Sequence, residues 1–246
     1  MRLFKNILLP IAAIVFSLTS CSVPDMRVNE NFKAEASAMP VQGRSAMRLS
    51  MGKEKGFGFG AYQVEDVKRG WTRSSDNGQE NLLRVSEAYQ RYSFGVIDTV
   101  TRKTLFVQAA AMLNTTAVEA AGWSFNLDKQ REFLQVAFRS AESGEWRLSL
   151  ADPGNYMQRT NFEGSLKNKE YEIEVLPLYK WEGKSLPSDK PLGYEFSRGG
   201  QVLATVQTVN SGKVWLRNSL SPDLQMVLAS ASASLLLYNQ LDQENQ

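Results

Sequence analysis

The chain has 246 residues, and a composition of 43% hydrophobic and 22% charged suits one large all-β domain or two small ones rather than a disordered chain. With no histidine and one cysteine, it lacks the usual neutral-pH general base and metal ligand, and it has no route to an intramolecular disulfide or a thiolate metal cluster. The formal charge is +2, but Arg2 and Lys5 stand at the very start, so the rest balances 26 basic against 26 acidic side chains and has no global attraction for nucleic acid.

Residues 1–20 join this basic start to an apolar run from Ile7 to Phe16, which ends in Leu18-Thr19-Ser20-Cys21. The run is too short to remain as a membrane-spanning helix, which needs roughly 20 apolar residues. The pattern resembles a bacterial lipoprotein signal peptide, and the sole cysteine falls on the lipobox position. That resemblance implies cleavage before Cys21, a diacylglycerol thioether on its sulfur and an acylated amino group. Several acyl chains, at about 0.8 kcal/mol per buried methylene, make such anchoring stable. Ser22 follows the cysteine in place of aspartate, which the resemblance associates with the outer membrane. The plainer alternative is a secretory leader with an incidental cysteine.

Residues 21–50 show no sustained period and are expected to form a tether with one early strand, so that the folded domain spans 51–246. Gly56-Phe57-Gly58-Phe59-Gly60 superficially suggests a phosphate loop, but no Lys-Ser/Thr follows and no helical pattern begins. It reads instead as a strand with glycines on one side and aromatics on the other. Lys68, Arg69, Trp71 and Arg73 then set three cations around a tryptophan, a candidate contact patch able to stack on a ring or hold a phosphate. Its alternative reading is a solvated turn between strands. Asp76-Asn77-Gly78 has strong turn chemistry.

Tyr92 to Val100 and Lys103 to Val107 read as strands, and Ala109 to Leu113 either continues the second or makes one helical turn. Leu134, Val136 and Phe138 alternate along one run, and Trp146, Leu148 and Leu150 along the next, with Glu142-Ser143-Gly144 between. These runs predict a hairpin. Further on, Tyr171, Ile173 and Val175 alternate with Glu170, Glu172 and Glu174. Clustered carboxylates can raise one another's pKa or bind a hard cation, but the expected role is the solvated outer face of a half-buried strand. Arg198-Gly199-Gly200 and Asn210-Ser211-Gly212 mark two more turns, with the last strand over Lys213 to Arg217.

The closing stretch predicts a helix over 222–241: Ser221 is a good N-cap, Pro222 suits the first helical position, and Asp223 favours the positive dipole end. Its Leu, Met and Val residues spread around the whole circumference, with Ala and Ser between, so no polar face exists. Such a helix must be enclosed. A barrel, conversely, needs its lumen filled. The expected fold is therefore mainly β, an antiparallel meander closing into a barrel around a buried apolar C-terminal helix.

The tail K-V-W-L-R-N-S-L-S-P-D-L followed by Met226 to Leu237 resembles the C-terminal end of the tubby-like superfamily, which includes phospholipid scramblases and plant LURP-one-related proteins. The resemblance implies a roughly twelve-stranded barrel around a C-terminal helix. The phosphoinositide-binding signature of tubby proteins has no matching positions here, and fold does not carry function with it. The functional expectation is a non-catalytic module of the bacterial cell envelope, anchored in the membrane through acyl chains on Cys21. No cofactor or metal is expected. Its partner would be an envelope protein or, alternatively, a lipid cradled by the barrel; a serine nucleophile would need Lys or a carboxylate as base, and no spacing supports one.

Overall fold

The structure is a computed structural model and describes residues 24–44, 52–53, 56–73, 87–113, 117–120, 123–126, 132–152 and 162–238. A short helix α1 (Glu30–Glu35) leads into β1 (Ala36–Pro40), followed by β2 (Gly52–Lys53), β3 (Phe57–Phe59), β4 (Tyr62–Arg73), β5 (Glu87–Asp98) and β6 (Thr104–Leu113). A separate small hairpin pairs β7 (Ala117–Ala120) with β8 (Trp123–Asn126). The chain continues through β9 (Glu132–Ser140), β10 (Gly144–Asp152), β11 (Glu163–Lys167) and β12 (Glu172–Leu178). Then come β13 (Gly193–Arg198), β14 (Gln201–Gln207), β15 (Lys213–Arg217) and the helix α2 (Pro222–Leu237).

Apart from β7 and β8, these strands form one antiparallel sheet in the order β1-β15-β14-β13-β12-β11-β10-β9-β6-β5-β4, with β2 and β3 both on the far edge of β4. Counting β2 and β3 as one interrupted edge, the wall has twelve positions. Its ends meet where Gln42, just past β1, exchanges backbone hydrogen bonds of 2.8 and 2.9 Å with Gly58 of β3. One bridge thus brings the sheet close to a full barrel. The β-barrel around a C-terminal helix expected from the sequence is the architecture observed.

Alternation decides what faces inward. Leu134, Val136 and Phe138 of β9 pair with Leu150, Leu148 and Trp146 of β10, and all six are buried in the main core. Gly199 and Gly200 join β13 to β14 with φ of 57° and 78°, the left-handed turn that matches the twist of a hairpin. Strand β6 runs unbroken to Leu113, so Ala109 to Leu113 is strand and not a helical turn. Register explains the alanines: Ala109 and Ala111 pair with inward-facing Val136 and Leu134, and α2 packs against β6, where small side chains leave it room.

Helix α2 starts as its caps predict, with the Ser221 hydroxyl accepting from the Leu224 amide at 3.3 Å. Every residue from Met226 to Leu237 is buried, and the helix packs against β4, β5, β6, β9, β14 and β15, strands drawn from around the wall. The hydroxyls of Ser230 and Ser234 donate to the carbonyls of Met226 and Ser230 at 2.9 and 2.8 Å, which satisfies these polar groups without leaving the helix. Tyr238 is the C-cap, and the expected extension to residue 241 falls outside the described residues. Among the described residues no helix is long and apolar enough to cross a membrane.

The expected tether over 21–50 needs correction, because its described part, 24–44, belongs to the fold. Met26, Val28 and Phe32 cover Leu192 and the outward-facing Trp215 in a second apolar cluster outside the barrel. The Met26 amide donates to Gln207 Oε1 at 2.9 Å, while the Asp25 carboxylate accepts from Gln207 Nε2 at 3.0 Å and pairs with Lys213. Hydrogen bonds from Lys213 and Gln207 hold the Asp25 carboxyl below its ordinary pKa. The early strand is β1, paired along its length with β15. No period betrays this segment, because its buried residues sit in an irregular stretch and a helix of six residues, too short to show one.

Strand direction sorts the connections to two ends of the barrel. One end carries the loop 179–192, the turn 208–212 and Pro24; the other carries the turns at 60–61, 99–103, 141–143, 168–171 and 199–200 and the start of α2. Helix α2 therefore threads the barrel from the second end toward the first.

Candidate functional site

The N-terminal segment lies against the loop that follows β12. The Arg27 amide donates to the Lys180 carbonyl at 2.7 Å, the Glu182 amide donates to the Asp25 carbonyl at 2.8 Å, and Met26 bridges Trp181 between them. These contacts build one wall of a surface groove of about 600 Å³, lined by Arg27, Val28, Pro177, Tyr179, Lys180 and Glu195 among others. Two cations, Arg27 and Lys180, two carboxylates, Glu30 and Glu195, a phenol and apolar walls make a recognition surface of mixed charge.

Glu195 carries the unusual electrostatics of this groove. It faces outward from β13 between the inward-facing Tyr194 and Phe196, is half-buried, and has no hydrogen-bond donor or cation within bonding reach among the described residues. Burial pushes its pKa above the usual carboxylate value. A carboxyl whose pKa is raised by folding holds its proton more tightly in the folded state, so ionising it weighs against the fold as pH rises through that range. Glu195→Gln is therefore expected to raise the urea midpoint at pH 7 and to leave it unchanged at pH 3. A lower midpoint at pH 7 would mean that the ionised carboxylate is stabilised where it stands.

Of the expected contact patch of Lys68, Arg69, Trp71 and Arg73, the two described side chains, Lys68 and Arg69, point to opposite sides of the wall. All four belong to β4, so the alternative of a turn is also corrected. Asp66 takes a left-handed φ of 50°, and the pairing with β5 steps from Glu65–Gly95 to Lys68–Ser93, one extra residue on β4. This bulge reverses which residues point inward: Tyr62 and Val64 face the core before it, Val67 after it, and Lys68 faces solvent. Arg69 consequently turns into the barrel, where its guanidinium donates to the Leu237 carbonyl at 2.6 Å and stands 5.4 Å from the Tyr92 ring centroid. Tyr92 donates its hydroxyl to the Ser234 carbonyl at 2.9 Å, so two strand residues satisfy carbonyls in the last turn of α2. The side chains of Trp71 and Arg73 lie outside the described residues, as does Cys21.

Glu172 and Glu174 are exposed on the outer face of β12, as expected, with Glu172 3.7 Å from Lys167, whereas Glu170 is exposed in the turn 168–171 before the strand begins. Among the described residues no three His, Cys, Asp or Glu side chains gather into a group that could hold a metal ion.

Reading the sequence missed the groove altogether. Glu195 is the signal that was present, a lone acid flanked by aromatics on a strand, but its burial arises from residues 27–31 folding back across the sheet. That is a non-local contact which no pattern along β13 displays. No protein-family model, no curated protein and no solved structure matches this chain.

Proposed function

We propose that this protein is a lipoprotein of the bacterial cell envelope, held in the outer membrane by acyl chains on Cys21, and that it acts as a non-catalytic binding module. The observation that supports this most is the filled lumen. Helix α2 buries Met226 to Leu237 inside the wall, which leaves ligands the outer surface, and the groove beside Glu195 is concave there. The partner class that suits it is an extended segment of another envelope protein, with Arg27 and Lys180 meeting its acidic groups and Glu195 a basic one. A tubby-like kinship belongs to the same proposal, supported by the twelve wall positions around the terminal helix and by the tail sequence 213–237.

Two measurements test this reading. Cys21→Ser is expected to block processing at residue 21 and release the protein from membranes; unchanged sedimentation with membranes would refute the anchor. A photo-crosslinking residue in place of Tyr179 is expected to capture an envelope protein in living cells, while the same residue at Glu174, exposed on the outer face, captures none. A stoichiometric lipid in native mass spectra, without any protein adduct, would replace protein binding with lipid handling.

A further inference from the structure

We infer that the outer part of the loop after β12, residues 181–190, is a membrane-contacting element, with Leu186 inserted among the lipids beside the acyl anchor and Lys184 and Lys190 on the headgroups. This rests on the proposed acylation of Cys21 and extends it from a point of attachment to a fixed orientation.

The first step is a length. Only Ser22 and Val23 separate Cys21 from Pro24, three residue steps that at about 3.3–3.6 Å each give a reach of roughly 11 Å. Beyond that the chain is committed: the Pro24 carbonyl accepts from the Asn210 side chain at 3.4 Å, Asp25 pairs with Lys213, and Met26 is buried. The folded barrel therefore hangs from the bilayer on a strap shorter than a phospholipid layer is thick, in place of the long tether that the sequence suggested. The barrel end that carries Pro24 must face the membrane.

The second step is what that end presents. The loop after β12 is its nearest neighbour, joined to residues 25–27 by the bonds from Glu182 to Asp25 and from Arg27 to Lys180. At the loop's tip Leu186 is 81% exposed, among the most exposed large apolar side chains described. Trp181 is half-buried at the loop's base with the Lys184 ammonium 5.4 Å from its ring centroid, an aromatic and a cation at the level where interfacial residues settle. Lys184 and Lys190 are exposed, whereas Lys180 belongs to the groove; of the loop's two acids, Glu182 is engaged by Lys33 at 3.2 Å and Asp189 is exposed. An apolar tip flanked by lysines fits a surface of anionic headgroups over acyl chains.

Val100 supplies the internal comparison. It is 79% exposed, almost as much as Leu186, but sits in the turn 99–103 at the opposite end of the barrel. Neither side chain packs in the core, so replacing either leaves the fold intact.

The test uses the full acylated chain purified from membranes, in which the Cys21 sulfur is blocked. Leu186→Cys or Val100→Cys then carries an environment-sensitive fluorophore, and each protein is reconstituted into vesicles of phosphatidylethanolamine and phosphatidylglycerol with brominated acyl chains. The label at 186 is expected to shift to the blue and to be quenched several-fold more than the label at 100. Equal and weak quenching at both positions, in protein that floats with the vesicles, overturns the loop contact while leaving the anchor standing. Protein that does not float, and whose intact mass lacks the acyl chains, overturns the anchor and the loop contact together.

Discussion

Leu228→Ala, Leu235→Ala and Leu236→Ala are each expected to lower the stability of the fold by about 2–5 kcal/mol, the range for truncating a fully buried leucine. Leu228 and Leu235 leave α2 on one side and Leu236 about 100° round from them, while Leu237 leaves on the side opposite Leu228, yet none of the four is more than 4% exposed, because the barrel wall surrounds the helix. Set against a typical stability of about 5–15 kcal/mol, any one of these losses is large. A helix lying on a surface would behave differently, since Leu237, opposite Leu228, would then face water and its truncation to Ala would change stability by no more than about 0.5 kcal/mol, whereas inside the barrel it is expected to be felt as strongly as the other three. Urea melts with unchanged m-values check it. Leu236 also touches the turn that follows β14: a Cβ at Gly212, where φ is 93°, would stand 2.8 Å from a Leu236 methyl. Part of the Leu236 loss will therefore come from loosening that end of the barrel.

The second large effect concerns Arg69. Arg69→Met keeps most of the apolar stem and removes the donor to the Leu237 carbonyl, and it is expected to cost about 1.5–3 kcal/mol, the range for a hydrogen bond to a charged group. A positive charge at a helix C-terminus contributes to the same loss through the helix dipole, up to about 2 kcal/mol in partly buried sites. Helix α2 has no basic residue in its own last turn, so β4 supplies the cation that the helix lacks. Lys68→Met, one residue away but on the solvent side, is expected to change stability by no more than about 0.5 kcal/mol. Thermal melts of the pair decide the matter. Equal effects at 68 and 69 would mean that the bulge at Asp66 does not turn Arg69 inward.

That bulge also shows where reading the sequence reaches its limit. The hairpin of β9 and β10 was legible because its alternation is uninterrupted and its turn chemistry local. The same holds for the Gly199-Gly200 turn and for α2, whose apolar residues on every side demanded enclosure before any strand was placed. At β4, by contrast, one extra residue changed which side chains face the core and turned Arg69 inward, away from its neighbour Lys68. Nothing in Glu65-Asp66-Val67 announces this, because a non-glycine residue adopts a left-handed φ only where the surrounding pairing imposes it. The N-terminal segment was misread for a related reason. Its buried residues Met26, Val28 and Phe32 answer to Trp215 and Leu192, far away in sequence, rather than to one another. The groove depends on that segment and so was hidden with it.

The central claim is that the nearly closed barrel encloses its own helix, so that recognition is left to the outer surface. Native-state hydrogen exchange of α2 tests it most directly. If the claim holds, amides from Met226 to Leu237 on all sides of the helix exchange only through global unfolding, with the same free energy as the most protected amides of β9 and β10. Exchange of α2 at a clearly lower free energy, with the strands still protected, would show a helix that leaves the barrel while the wall stands, and would contradict the account.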